Sequence, residues 1–173
     1  VGNNALYDNT TGSSNAAVGS FALSFNTTGD DNTAIGAASI YANTTGVNNT
    51  AIGYRSLRSN IEGNDNAALG NSALYDNTTG SSNIAIGSLA LSKNTTGDFN
   101  TAVGESALYN STTGTNNAAQ GSGTLSSNTT GINNTGVGSL SLVSNTTGNY
   151  NLGIGTGAGY SSSTGSNNIF LGY

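Results

Sequence analysis

The glycines of this chain recur at a fixed step of seventeen residues from one end to the other. One series runs from Gly2 to Gly172 without an insertion or a deletion, and a second series with the same step runs from Gly12 to Gly165. A fixed short period is typical of solenoids and other repeat arrays. A coil that stacks on copies of itself cannot change length without breaking the stack. The constant step therefore predicts coils that lie directly on one another.

The repeat unit predicts the fold class. Counted from Gly2 as coil position 1, the unit reads G-x-x-A-L-x-x-N-T-T-G-x-x-N-T-A-V/I, and residues 70–86 show it in full. Its two apolar segments, Ala-Leu and Thr-Ala-Ile/Val, are too short for a helix, which needs roughly ten residues or more. Short strands between Gly and Asn turns fit instead. We expect an all-β parallel β-solenoid, or β-roll, of about ten 17-residue coils, each with two short strands and two bends. The glycines at positions 1 and 11 are expected to supply positive φ.

The large apolar residues are expected to meet inside the coil as two columns, at positions 5 and 17. Gln120 interrupts the second column. An unpaired buried amide costs about 1–3 kcal/mol, so this side chain is expected either to find an amide partner or to point outward locally. The predicted core ladder consists of Leu6, Leu23, Ile40, Leu57, Leu74, Leu91, Leu108, Leu125, Leu142, Val18, Ile35, Ile52, Leu69, Ile86, Val103, Val137 and Ile154.

The alanines at positions 4 and 16 form two further columns. Neighbouring residues of a strand face opposite sides, so alanines beside inward Leu and Ile are expected to point outward. A face kept small along the whole array favours close packing against another chain; the alternative is a narrow coil or tight bend that admits only alanine. The candidate chain interface consists of Ala22, Ala34, Ala51, Ala73, Ala85, Ala90, Ala102 and Ala107.

Asparagines recur at positions 8 and 14, where the coil is expected to bend. Stacked asparagines form amide ladders, and asparagine tolerates left-handed backbone. The Asn-Thr-Thr triplets also match the N-glycosylation acceptor pattern, but turn formation is the preferred interpretation. The position-14 Asn ladder is predicted to consist of Asn15, Asn32, Asn49, Asn66, Asn83, Asn100, Asn117, Asn134, Asn151 and Asn168.

Charge and composition exclude several partners. The formal net charge is −5, and the basic residues are Arg55, Arg58 and Lys93. So few cations cannot neutralise a useful run of phosphates, which argues against nucleic acid, and they argue equally against attachment to anionic lipid. No apolar run approaches the roughly 18 residues of a spanning helix, so membrane insertion is not expected.

The residue inventory also argues against catalysis. The chain has no His and no Cys, which removes the usual general base and thiol nucleophile. Asp30-Asp31 and the Glu62/Asp65 neighbourhood are the local carboxylate pairs, whereas a glycosidase needs two carboxylates at a set separation in a cleft. Calcium-binding repeats carry a ligating Asp in every unit, and these units do not. We therefore expect no enzyme activity, no cofactor and no dedicated metal site, with an occasional ion at Asp30-Asp31 as the alternative.

Two sets of side chains suggest a ligand-binding surface. Adjacent threonines such as Thr27-Thr28 recur through the array, and flat Thr ladders on a β-solenoid bind ice. Neighbouring strand residues face opposite sides, however, which argues against a shared Thr face. Tyr7, Tyr41, Tyr75 and Tyr109 share position 6 in alternate coils. They predict either a sugar-stacking strip or aromatic packing within an assembly.

The unit N-T-A-I/V-G-x-x-A-L-x-x-N-T-T-G-x-x resembles repeats common in long bacterial and phage surface proteins. Its core, as in residues 32–36 and 83–87, is similar to the head repeats of trimeric autotransporter adhesins, whose period is shorter. In that family the head is a left-handed parallel β-roll, and three chains pack side by side. The resemblance implies left-handed coils, a trimer with the small-residue face inward, and a location outside the cell, on its surface or on a virion.

These observations predict a structural segment of an extracellular fibre, filament or adhesin. Residues 1–173 are expected to form a single array of ten repeats, and the absence of polar caps suggests a segment of a longer repeat protein or ends covered by other chains. The expected partners are copies of the chain itself, in a trimer or filament, together with a possible surface or glycan receptor. The alternatives are an ice-binding solenoid with a Thr/Asn ladder and a receptor- or glycan-binding phage tail fibre.

Overall fold

The computed structural model describes residues 2–172 and shows one parallel sheet of ten strands in chain order. Each strand pairs in register with the equivalent residues of the next coil, as in Ala34 with Ala51 and Ile35 with Ile52. Within the described residues there is no helix, so the predicted all-β solenoid of 17-residue coils is confirmed. The strands are β1 Ala16–Val18, β2 Thr33–Ile35, β3 Thr50–Ile52, β4 Ala67–Leu69, β5 Ile84–Ile86, β6 Thr101–Val103, β7 Ala118–Gln120, β8 Thr135–Val137, β9 Leu152–Ile154 and β10 Ile169–Leu171.

Each coil contains one strand, not the two that the sequence suggests, because the Ala-Leu segment is a turn. Phe21 and Leu23, on either side of Ala22, both have left-handed backbone, with φ of 57° and 50°. The Ala22 amide donates to the Gly19 carbonyl at 3.3 Å, which closes a turn. Left-handed backbone costs a non-glycine residue roughly 1–2 kcal/mol. Hydrogen bonds between coils offset that cost, such as the one from the Leu23 amide to the Ser39 carbonyl at 3.0 Å.

The leucine column at position 5 forms the centre of the core, as predicted. Its members from Leu23 to Leu142 are fully buried, and Leu6 packs against them in the first coil. Because the segment turns rather than extends, the alternation rule for strands does not apply to it. Ala22 and Leu23 are therefore both inside, each with no exposed surface.

The position-17 column was predicted to be core, and this is wrong: its side chains point outward from the sheet. The exposed fraction is 51% for Val18, 41% for Ile35 and 38% for Ile52. Strand alternation does hold here, but with the opposite phase, so the central alanine faces inward and the residues beside it face out. Gln120 points outward with its column, which resolves the two alternatives for its amide. The other members misassigned to the core are exposed or, for Val103, half-buried: Leu69, Ile86, Val103, Val137 and Ile154.

The alanine columns line the core, so the candidate chain interface is also wrong. The cause is the thinness of the coil. A Cβ built on Gly136, at position 16, would lie 2.5 Å from Cγ2 of Thr124, at position 4 of the same coil. Where the two walls approach so closely, a larger residue on one wall, such as Thr124, requires a smaller one opposite, such as Gly136. Small residues are therefore needed in both columns, which was the alternative interpretation of these columns. The residues concerned are all fully buried: Ala22, Ala34, Ala51, Ala73, Ala85, Ala90, Ala102 and Ala107.

The predicted Asn ladder at position 14 is present and ties each coil to both neighbours. Oδ1 of Asn32 accepts from the backbone amide of Asn49 at 3.0 Å and from its Nδ2 at 3.1 Å. Nδ2 of Asn32 donates to the Gly46 carbonyl at 2.8 Å. The same pattern recurs along the stack, as between Asn83 and Asn100. A buried amide whose donors and acceptor are paired stabilises the stack instead of straining it.

A second Asn ladder runs along position 8. Nδ2 of Asn43 donates to Oδ1 of Asn26 at 2.7 Å and to the Gly46 carbonyl at 2.9 Å. These asparagines belong to the Asn-Thr-Thr triplets, and Asn26 and Asn43 are fully buried. The amides therefore hold the turn, in agreement with the preferred interpretation, and those of Asn26 and Asn43 are not accessible as glycan acceptors in the folded chain.

Successive coils approach closely at both glycine series, since a Cβ on Gly36 would meet the Gly53 carbonyl oxygen, but only one series also has positive φ. Position 1 needs glycine for its backbone, because φ there is near +135°, as at Gly36 (134°) and Gly53 (136°). Position 11 was also expected to have positive φ, and it does not. Glycine is required at position 11 because a Cβ on Gly80 would lie 2.5 Å from Oδ1 of Asn77 and 2.5 Å from the Gly97 carbonyl oxygen. The close approach of successive coils and of the Asn ladder leaves no room there.

Candidate functional site

The outward face of the ten-stranded sheet is a regular surface that extends along the whole stack. Positions 15 and 17 of every coil point outward on either side of the buried position 16. Position 17 presents a nearly unbroken column of Val, Ile and Leu, and position 15 presents Thr, Ala, Ile or Leu. In-register pairing stacks equivalent side chains directly above one another. We call this surface the sheet face.

The sheet face carries no charged residue in any coil. Its apolar side chains are substantially exposed, among them Leu69 at 46%, Ile86 at 40% and Ile154 at 44%. Strands lie about 4.8 Å apart and rise about 3.4 Å per residue. Ten three-residue strands therefore cover roughly 45 by 10 Å, or about 450 Å², by those spacings. This footprint is comparable to the largest apolar patch of a typical monomeric protein, about 300–600 Å², and such patches are often functional.

The sheet face has hollows as well as ridges. Where alanine replaces a larger residue at position 15, the surface dips. One hollow of about 210 Å³ lies beside Ala67, and a second of about 240 Å³ lies beside Ala118. Ile84 and Ile86 project between the two hollows. The surface is therefore corrugated along the stack instead of planar.

The adjacent threonines do not share one face. The Thr at position 9 is turned into the stack: Oγ1 of Thr27 donates to the Thr44 carbonyl at 2.8 Å, and Oγ1 of Thr78 donates to the Thr95 carbonyl at 2.9 Å. The Thr at position 10 is exposed, as at Thr28, and Glu62 takes its place in one coil. The pairs thus leave one exposed Thr column rather than a two-column face.

Two of the four carboxylates that the sequence singled out, Asp30 and Asp65, form hydrogen bonds between coils. Oδ1 of Asp30 accepts from the backbone amide of Ser13 at 2.6 Å and from its hydroxyl at 2.9 Å. These two hydrogen bonds stabilise the charged form and hold the pKa of the Asp30 carboxyl below its usual value. Oδ1 of Asp98 accepts from the Ser81 amide at 2.7 Å in the same way. An aspartate at position 12 is therefore an acceptor for the backbone of the preceding coil.

Asp65 also bonds within the stack, as Oδ1 accepts from Nδ2 of Asn48 at 3.1 Å. Over residues 2–172, no three Asp or Glu side chains come together as a candidate metal site. Within that same range, no helix has the length and hydropathy needed to cross a membrane.

The tyrosine column at position 6 is more varied than the sequence suggests. Tyr7 is 70% exposed, whereas Tyr41, Tyr75 and Tyr109 are half-buried. In the coil between Tyr41 and Tyr75, the same position is occupied by Arg58, whose guanidinium lies over both rings. Reading the sequence as columns of seventeen would have shown this Tyr-Arg-Tyr stack, but only the coordinates show which neighbouring side chains join it.

The chain matches no protein-family model. Comparison with curated proteins and with solved structures also finds no significant match.

Proposed function

We propose that this chain is a structural segment of an extracellular fibre, filament or adhesin, and that its copies associate through the sheet face. The observation that carries the proposal is the column at position 17, which is free of charge, apolar except at Gln120 and exposed except at the half-buried Val103. Apolar surface of this extent is favourable to bury, at about 25 cal/mol per Å². The location outside the cell rests on the resemblance of the repeat unit to bacterial and phage surface repeats.

The area of the sheet face fits association between copies of a long array. Two copies meeting face to face would bury about 900 Å² in total from the strands alone, close to the roughly 1,000 Å² that a specific interface needs. Each added coil extends the face by about 4.8 Å. The interface therefore strengthens with the number of coils, which is the behaviour required of a rod that assembles along its length.

The shape of the sheet face favours a protein partner over ice. Ice recognition needs a flat, regular array, whereas the hollows at Ala67 and Ala118 make this face uneven. Protein interfaces at their core are packed by interdigitating side chains, for which ridges and hollows are suited. Thr occurs at position 15 in only some coils, with Ile84 and Leu152 in others. Thermal hysteresis measured for the wild-type chain would support the ice-binding alternative instead.

The test is the mass of the particle in solution. We expect the wild-type chain to form oligomers at high micromolar concentration by analytical ultracentrifugation. The double variant Ile52→Lys, Ile86→Lys should be monomeric, because it places two cations in the face and a buried, unpaired charge is costly. A wild-type chain that is monomeric throughout this concentration range would refute the proposal, and the measured mass would give the number of chains.

A matched control separates assembly from folding. Thr45→Lys, Thr79→Lys adds the same charges to the same two coils, at position 10, which is exposed on another side of the coil and already carries Glu62 in one repeat. This control should assemble like the wild type. Both double variants should keep the circular dichroism spectrum and melting behaviour of the monomer, because all four side chains are outside the core. Equal loss of assembly in both variants would show that general charge, not the sheet face, governs association.

A further inference from the structure

A group of aromatic and arginine side chains breaks the regularity of the rod in its first half. It consists of Phe21, Tyr41, Tyr54, Arg55, Arg58 and Tyr75, which we call the aromatic–arginine patch. These residues come from four successive coils, at positions 2, 3 and 6. None of them lies on a strand, so the patch is separate from the sheet face.

The two guanidinium groups are held by aromatic rings. The Cζ atom of Arg58 lies 5.0 Å from the ring centre of Tyr41 and 5.6 Å from that of Tyr75. The Cζ atom of Arg55 lies 4.8 Å from the ring centre of Tyr54. Stacking on a ring orients the guanidinium plane and leaves its N–H groups free at the edge. The donors are thereby preorganised for an oxyanion.

In the part of the chain that the structure describes, neither arginine has an anionic partner. Across residues 2–172 the sole salt bridge joins Lys93 to Asp76, at 3.0 Å. Within the same range, the contacts that the two guanidinium groups make are those with the tyrosine rings, and neither donates a side-chain hydrogen bond. Two of the three basic residues of an acidic chain are thus concentrated at one place with their donors unused. A guanidinium recognises carboxylate and sulfate groups through paired, charge-assisted hydrogen bonds.

The patch encloses a depression beside these donors. Ala37 and Ala38 form its floor, where the neighbouring coils carry Phe21 below and Tyr54 and Arg55 above. Its volume is about 290 Å³, and Tyr41 and Arg58 complete the wall. Phe21 meets Tyr41 edge-on, at 6.3 Å and 64° between ring planes. The depression is just below the roughly 300–1,000 Å³ of typical small-ligand sites, so it would take a ligand of one or two sugar rings only in part.

We propose that the aromatic–arginine patch binds an acidic saccharide, with a carboxylate or sulfate on the guanidinium groups and a sugar ring against the tyrosines. Two cations are too few for a long phosphate backbone. A peptide cannot add a strand here, since β2, β3 and β4 are paired on both sides. Aromatic rings with apolar faces and polar hydroxyl groups suit a ligand that presents both C–H groups and hydroxyls.

The test is titration of the monomeric chain with trigalacturonate, followed by NMR of the tyrosine rings and the arginine Nε–H groups. We expect saturable shifts confined to the patch, with affinity in the millimolar range or better, about −4 kcal/mol. Galactotriose, which has no carboxylate, should bind at least about tenfold more weakly, because the charge-assisted hydrogen bonds are lost. Sodium acetate at equal ionic strength should cause no saturable shift of the tyrosine rings.

Matched variants locate the site. Arg58→Gln should weaken binding of trigalacturonate at least about tenfold, whereas Lys93→Gln removes the same charge outside the depression and should change it less than about twofold by screening alone. Ala38→Leu fills the depression, and leucine is accommodated with the same backbone at Leu89 and Leu140. This variant should abolish binding, while Ser106→Leu, the same coil position further along the rod, should not.

Three outcomes would overturn the proposal. They are equal binding of trigalacturonate and galactotriose, saturable binding of acetate alone at the same residues, and an equal effect of Arg58→Gln and Lys93→Gln. Absence of any shift up to about 10 mM trigalacturonate would also overturn it, since weaker binding than that carries no specificity. The assembly through the sheet face would be unaffected by such a failure, because no patch residue lies on a strand.

Discussion

The ring of Phe170 occupies the space that a leucine would fill at Gly159. A Cβ built on Gly159 would lie 2.7 Å from Cδ2 of Phe170 and 2.7 Å from Cδ2 of Leu142. Gly159 is at position 5, where the preceding coils have Leu or Ile, and Phe170 is at position 16, where they have Ala or Gly. In the last coil the large core residue is therefore at position 16 and the small one at position 5, the reverse of the other coils. The space inside the coil stays filled.

This exchange predicts strong coupling between the two positions. Phe170→Ala should destabilise the chain by about 2–3 kcal/mol, because it leaves a cavity at a half-buried site. Gly159→Leu should destabilise it by overpacking. The double variant restores the consensus pair and should recover most of the loss, since leucine has the same left-handed backbone in the other coils. Urea unfolding of the four chains gives the coupling energy; additive effects would mean that the two residues do not share this space.

A second prediction tests which large residues are inside. Leu74→Asp should lower the free energy of unfolding by more than about 4 kcal/mol, because it buries an unpaired charge in the leucine column. Ile86→Asp, on the sheet face, should cost about 1 kcal/mol or less when measured on the monomer, through strand propensity alone. Both substitutions are compared with wild type in urea at low protein concentration. Similar losses for the two variants would contradict the inward and outward assignment.

A third prediction concerns the gap in the position-8 ladder. Ser111 replaces asparagine there, and both its Oγ and Oδ1 of Asn94 are buried without a hydrogen-bond partner. Ser111→Asn should stabilise the chain by about 1–2 kcal/mol by supplying the missing donor. The melting temperature should rise accordingly.

The control for this ladder is Ser162→Asn, the same change at the same coil position in the last repeat. Ser162 is only half-buried, so the gain should be smaller there. A decrease in stability for Ser111→Asn would show that the stack around Asn94 cannot accommodate the amide.

The fourth prediction concerns pH. The hydrogen bonds from Ser13 lower the pKa of the Asp30 carboxyl from its ordinary value of 3.8. A lowered folded-state pKa contributes stability that is present above the unfolded-state value and is lost as pH falls through the folded-state value. Ser13→Ala removes the hydroxyl donor but keeps the backbone amide, so the pKa of Asp30 should rise part of the way back. Carbon NMR titration of the Asp30 carboxyl measures this directly, and an unchanged pKa would mean that the hydroxyl bond does not form in solution.

Much of the fold could be predicted from the sequence because stacking is set by the period alone. Residues seventeen apart must be neighbours, so the leucine column and the Asn ladders follow without knowledge of the coil's cross-section. The sequence did not show which residues of each strand face inward. Ile35 was placed inside because large apolar residues are usually buried, whereas the thin coil accepts only Ala34 at that depth.

The candidate site was only partly predictable for the same reason. The tyrosine column was visible in the sequence, but it was treated as uniform, and Arg58 between Tyr41 and Tyr75 was overlooked. Phe21 and Arg55 share position 3, but the sequence does not show that this column and position 6 line one depression.

The sequence by itself determined the length of the coil, the in-register stacking and the identity of each column along the rod. Tertiary structure decided which columns face the core and which face solvent. The physical reason lies in the left-handed residues of the turn, such as Leu74 at φ 51° and Ser72 at φ 54°. Neither residue type favours that backbone, so the local sequence does not predict the turn. It is imposed by the hydrogen bonds between coils, which form only once the stack exists.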